Sequence, residues 1–197
     1  MLRAAPLYQQ GYKMNSEYRP ILLTSSAAFN GPLGDVVKSL EGNHEADPSA
    51  VLIQALTIIG NIYGRKYQLT LGGLAQYSNL FTLLVGQTGR GKKGTSLGLA
   101  KKLVTFSTPQ EGPNYATGIA SGPGIVHALR DPGVVKTKKG EEIDQGVVDK
   151  RLVLIEEEFS SILRLTNKSS DTGTSAILRS CWDSENLQNQ SKGSPET

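Results

Sequence analysis

Apolar positions recur at helical spacing from Ala27 to Leu40, where Leu33, Val36, Val37 and Leu40 follow the Gly31-Pro32 punctuation. This predicts a short amphipathic helix, broken by Gly42-Asn43-His44-Glu45. Asp47-Pro48 then supplies an N-cap and a proline for the first helical position. Val51, Leu52, Ala55, Leu56, Ile58, Ile59 and Ile62 cover most of the next helix, so it should be largely buried, with Gly60 and Gly64 near its end. Lys66 to Leu71 alternates polar and apolar before Gly72-Gly73, which predicts a hairpin strand or an edge strand. Phe81 to Val85 reads as a buried strand, and Leu97 to Val104 as a helix.

Farther along, Pro109 and Gly112-Pro113 mark a loop. Gly118 to Gly124 (GIASGPG) is a glycine-rich turn before Ile125, Val126, Ala128 and Leu129 at helical spacing. A helix cap at Ser121-Gly122-Pro123 is the expected use of that turn, ahead of a second phosphate loop. Val134-Val135 and Val147-Val148 flank a charged turn with Lys136, Lys138 and Lys139, which predicts a protruding hairpin that can also meet nucleic-acid phosphates. Leu152 to Ile155 is a run of four aliphatics, as in the interior of a parallel sheet. Phe159, Ile162, Leu163 and Leu165 predict one helix, and Thr174 to Trp182 another, with Trp182 as a packing anchor. Asn186 to Thr197 is polar and is expected to add no strand.

Composition narrows the function classes. The 197 residues, 38% of them hydrophobic, suffice for one core. The net charge of +3 permits nucleic-acid contact without arguing for it. Cys181 has no partner for an intrachain disulfide, and His44 and His127 lack a cysteine cluster, which argues against zinc. No apolar run approaches the roughly 20 residues that span a bilayer. A cytoplasmic protein without membrane partners is therefore expected. Residues 1–26 lack periodicity and read as an arm, whose tyrosines and basic residues are a weaker match to a base-stacking segment.

The chemistry concentrates at Gly86-Gln-Thr88-Gly89-Arg-Gly91-Lys92-Lys93-Gly94-Thr95-Ser96. A strand, a glycine-rich turn carrying lysine and a following helix form the layout of a phosphate-binding loop. Glycines let amides turn toward phosphate oxygens, and a helix N-terminus adds partial positive charge. Gly86-x4-Gly91-Lys92 fits the pattern, but its last position is Lys93 rather than Ser or Thr. A shifted register makes Lys93 the phosphate lysine, with Thr95 or Ser96 as the hydroxyl toward Mg²⁺. Spacing leaves both registers open.

A carboxylate at the C-terminal end of an aliphatic strand is the usual partner of such a loop. Glu156 is the expected metal-side residue, and Glu157 or Glu158 the base that orients water. A charged helix start is the competing explanation for the same glutamates.

Five blocks carry a resemblance: HEADPSAVLIQALTIIGNIYGR, NLFTLLVGQTGRGKKGTS, GIASGPGIVHALRDP, KRLVLIEEEFSSILR and AILRSCWD. Over roughly residues 27–195 the chain resembles a P-loop ATPase family of unassigned function, found in phage, prophage and plasmid genes. That family often follows primase-polymerase domains and is similar to the ATPase cores of replicative helicases. The resemblance implies an α/β fold: a P-loop NTPase core with a mostly parallel sheet flanked by helices, preceded by a small helical segment. It implies an arm at 1–26, a helical segment with an edge strand at 27–78 and the core at 79–197. It implies ATP and Mg²⁺ as cofactors, favours Lys93 with Thr95, and favours Glu158 over Glu157. Relatives continue into a further core strand and an inter-subunit arginine, so the resemblance also implies a chain lacking the C-terminal motor half.

Two functions are therefore expected to compete: an ATP-binding and ATP-hydrolysing module of a DNA replication or helicase-type protein, with single-stranded DNA or further copies of itself as partners, and a truncated module that binds nucleotide or a partner without turnover. A metabolite kinase ranks last, because no lid-like arginine cluster is legible.

Overall fold

A computed structural model describes residues 24–86, 91–107, 112–118, 121–137, 140–166, 173–187, 189–191 and 194–196. The expected arm thus lies almost wholly outside the described residues. After one 3-10 turn (Ser26–Phe29), helix α1 (Pro32–Ser39) begins at its proline. Helix α2 (Pro48–Tyr63) opens as its sequence predicts: Asp47 Oδ1 accepts from the Ser49 amide at 2.7 Å. It closes at Gly64, whose φ of 55° is one that L side chains rarely adopt. Strands β1 (Leu69–Leu71) and β2 (Leu74–Gln76) pair across Gly72-Gly73 as a two-stranded hairpin.

The buried strand expected at Phe81–Val85 does not form. Residues 77–86 carry no regular hydrogen bonding, and Phe81, Leu83 and Val85 are exposed, Val85 at 88%. A strand exists only beside another strand that satisfies its amides and carbonyls. Here, a cavity of about 980 Å³ is lined by both Leu80–Leu83 and Leu152–Leu154, so the two segments face each other without pairing.

Helix α3 (Lys93–Ser107) is longer than the Leu97–Val104 pattern and takes in the end of the glycine-rich stretch. Strand β3 (Asn114–Thr117), absent from the sequence expectations, pairs in parallel with β6 (Leu152–Ile155) in the register Tyr115↔Val153. Between them come α4 (Gly122–Ala128) and a hairpin of β4 (Gly133–Thr137) with β5 (Gly140–Asp144). The second hairpin strand precedes Val147, so Glu141 and Glu142 lie within a strand, where Lys136 is paired with Glu141 in register. Helices α5 (Phe159–Thr166) and α6 (Thr174–Trp182) follow. Two short strands, β7 (Asn189–Ser191) and β8 (Ser194–Glu196), then pair antiparallel where none was expected.

The result is a mixed α/β arrangement with helices on both faces of a small parallel pair. Ala55, Ile58, Ile62, Ala100 and Val104 bury α2 against α3, and Tyr115 of β3 packs on that cluster. Ile125, Val126 and Ile177 join α4 to α6, with Leu154 of β6 packed on them. Among the described residues β3–β6 is the one parallel pair, and the other pairs are antiparallel hairpins. The mostly parallel sheet is thus corrected to a small one, and β6 is only partly covered, with Val153 alone buried. No described helix is long and apolar enough to cross a membrane.

Candidate functional site

The glycine-rich stretch lies between residue 86 and the start of α3. Thr88 and Gly89, both expected to bind phosphate, fall outside the described residues. The ends of the loop converge: a Cβ on Gly86 would stand 3.4 Å from Gly91 Cα and 3.9 Å from Lys93 Nζ. Lys93 Nζ donates to the Gly86 carbonyl at 2.8 Å, so its ammonium closes the loop from the helix side.

Lys92 behaves differently. Its backbone is left-handed (φ 43°), uncommon for a bulky residue, and its ammonium pairs with Glu45 Oε2 at 2.5 Å. That hydrogen bond, and the ammonium's charge, hold the Glu45 carboxyl below the usual carboxylate range. Neighbouring lysines therefore point to different partners, one across the loop and one toward the α1–α2 connection. Sequence reasoning missed Glu45 as a site residue: it lies 47 positions from Lys92 (92 minus 45) and joins it only through the packing of α2 on α3.

The first turn of α3 divides its hydroxyls. Thr95 is exposed, whereas Ser96 is fully buried with its Oγ donating to the Lys93 carbonyl at 2.8 Å. Thr95 is thus the hydroxyl that a ligand can reach. The Ser96 amide donates to the Lys92 carbonyl at 3.0 Å, the first bond of the helix. Among the described residues the amides of Lys93, Gly94 and Thr95 have no partner, as the first amides of a helix do not. Exposed amides beside an ammonium suit an anion with several oxygens.

No protein family, curated protein or solved structure matches the chain.

The carboxylates follow β6, and Glu156 lines the same cavity as Leu80–Leu83, just ahead of the loop. Glu156 is half-buried just after β6, and its Oε1 accepts from the Glu158 amide at 3.3 Å, at the start of α5. Glu157 and Glu158 are exposed. Glu156 thus folds back on the turn that leads into α5. Among the described residues no group of three His, Cys, Asp or Glu side chains could hold a metal ion.

The approach to the loop is held by side chains. Ser78 Oγ donates to the Gly60 carbonyl at 3.1 Å, and Asn79 Nδ2 to the Trp182 carbonyl at 2.9 Å. Phe81 meets Trp182 edge-to-face at 5.3 Å. Trp182 is 55% exposed, so it anchors a surface contact rather than a core. Cys181, half-buried beside it, has its thiol pushed up by burial. The GIASGPG turn is a helix cap: Ser121 Oγ accepts from the Gly124 amide at 3.2 Å, and the buried Gly122 amide donates to Thr174 Oγ1 at 2.9 Å.

Proposed function

We propose that the chain is a nucleotide-binding module whose ligand is ATP, held with Mg²⁺ at the loop 86–96, within a replication- or helicase-type protein of phage or plasmid origin and with a P-loop fold. The observation that carries this reading is the bond from Lys93 Nζ to the Gly86 carbonyl, which holds a cation at the loop beside the open amides of α3. An incoming phosphate can replace that carbonyl as the acceptor, gaining a charge-assisted bond where a neutral acceptor stood. Gly86, Gly91 and Gly94 keep side chains out of the loop, and Lys93 supplies the point charge. Thr95 would hold the metal ion, which neutralises phosphate charge when bound.

Lys93→Ala should weaken Mg·ATP binding by about tenfold to a hundredfold, the loss of one charged hydrogen bond, measured by calorimetric titration. Affinity unchanged by this substitution would refute the site. In the hydrolysing form of the proposal, Glu158→Gln retains binding and loses turnover, while full turnover would move the base to Glu157.

Binding without turnover is the second reading. It is favoured by Glu156 turning its carboxylate back on the amide of Glu158. Measurable ATP binding with no phosphate release, with and without single-stranded DNA, would establish it over the first.

A further inference from the structure

We infer that Glu45 is a positioning residue for the phosphate loop: by holding the Lys92 ammonium it fixes the left-handed turn that delivers Lys93 to the loop. The inference deepens the nucleotide-binding reading and rests on it. A lysine at φ 43° persists only when its surroundings fix it. The restraint is the 2.5 Å ion pair, and Glu45 comes from a well-anchored connection. Beside it, Ala46 is buried with Phe29, Val37, Val51 and Leu52, and Leu99 and Leu103 of α3 pack on the same cluster. His44 Nδ1 accepts the Ala46 amide at 3.1 Å, and Asp47 caps α2. The carboxylate and α3 are thus carried by one packed frame, so the pair sets where α3 begins. The Lys92 carbonyl then accepts the Ser96 amide and opens the helix, while the Lys93 side chain turns to Gly86. Glu45 accordingly selects between the two registers that spacing left open: it engages Lys92 and leaves Lys93 for phosphate.

The test is a double-mutant cycle on Mg·ATP affinity with Glu45→Gln, Lys92→Met and the two together. Glu45 is 75% exposed at its side chain, so each single change should weaken binding by only about threefold to fivefold. The double variant should be no weaker than either single one, because both remove the same clamp. The exchanged pair, Glu45→Lys with Lys92→Glu, should return affinity to within about twofold of the parent. Additive losses would mean that Lys92 touches phosphate itself, and would overturn the inference, as would Glu45→Gln binding like the parent or more tightly. A readout that needs no nucleotide is exchange of the Ser96 amide, followed by NMR. It should quicken severalfold in Glu45→Gln, and an unchanged rate would overturn the clamp. If exchange quickens in the variant while the parent binds no ATP, the clamp stands and the nucleotide reading fails.

Discussion

Glycine-to-alanine changes at two helical positions should move stability in opposite directions. In an exposed helix interior, alanine is favoured over glycine by about 1 kcal/mol. Gly98 lies on the exposed side of α3, and a Cβ there meets nothing within 4 Å. Gly98→Ala should therefore stabilise by about that amount. Gly60 of α2 is buried, and its Cβ would stand 2.0 Å from the Ser78 carbonyl oxygen. Ordinary contact begins at 3.4 Å, so residues around Ser78 must retreat by about 1.4 Å (3.4 minus 2.0). That movement stretches the bond from Ser78 Oγ to the Gly60 carbonyl. Overpacking costs about 1–3 kcal/mol and a lost hydrogen bond about 1 kcal/mol, against the propensity gain of about 1 kcal/mol. Gly60→Ala should thus destabilise by about 1–3 kcal/mol. Urea unfolding of the two variants beside the parent reads both signs. If Gly60→Ala matches Gly98→Ala, the approach to the loop does not rest on α2.

Asp47→Ala removes the cap of α2 and should cost about 1 kcal/mol, read as a lowered thermal midpoint, while Asp47→Asn should cost less. Asp149 is held below its usual value first by its hydrogen bonds to Arg151, whose Nη1 also donates to the Ile62 carbonyl at 2.9 Å. A depressed folded-state pKa contributes stability above the unfolded value near pH 4, and that stability is lost as pH falls through the folded value. Urea midpoints of the parent should therefore drop on acidification more than those of Asp149→Asn; identical slopes would show that the pair contributes nothing.

The helices were legible because each is specified locally. Asp47-Pro48 begins α2 and Gly64 ends it, and Thr174 to Trp182 coincides with α6. Hairpins with glycine between their strands were legible for the same reason, as at Gly72-Gly73. What failed was pairing between distant segments. Asn114–Thr117 carries no run of aliphatics, yet it is a strand because Leu152–Ile155 lies beside it. Phe81–Val85 carries the stronger pattern and is not a strand, because across the cavity β6 stands too far away to pair. Composition sets the propensity of a strand; a neighbour decides whether it exists. The site divides in the same way. Spacing singled out Lys92 and Lys93, but their separate partners, Glu45 and Gly86, are properties of the folded chain.

That division bears on how the loop can work. Its helix side is rigid: Ala100 and Val104 are buried against α2, and Ser96 is enclosed beneath the first turn. Its approach, by contrast, is held by side-chain contacts at residues 77–82 without backbone pairing, and Val85 and Gly86 are exposed. The lysines and Thr95 sit on the rigid side, and Gly86, the acceptor that phosphate would displace, on the loosely held one. A ligand entering the loop therefore need not move the cation. It must shift Gly86, where few contacts resist, so that ordering the approach accompanies binding. Protection of amides in residues 77–86 on adding Mg·ATP, with little change in α3, is the expected signature. Uniform protection of both sides, or of α3 alone, would refute this division of the loop.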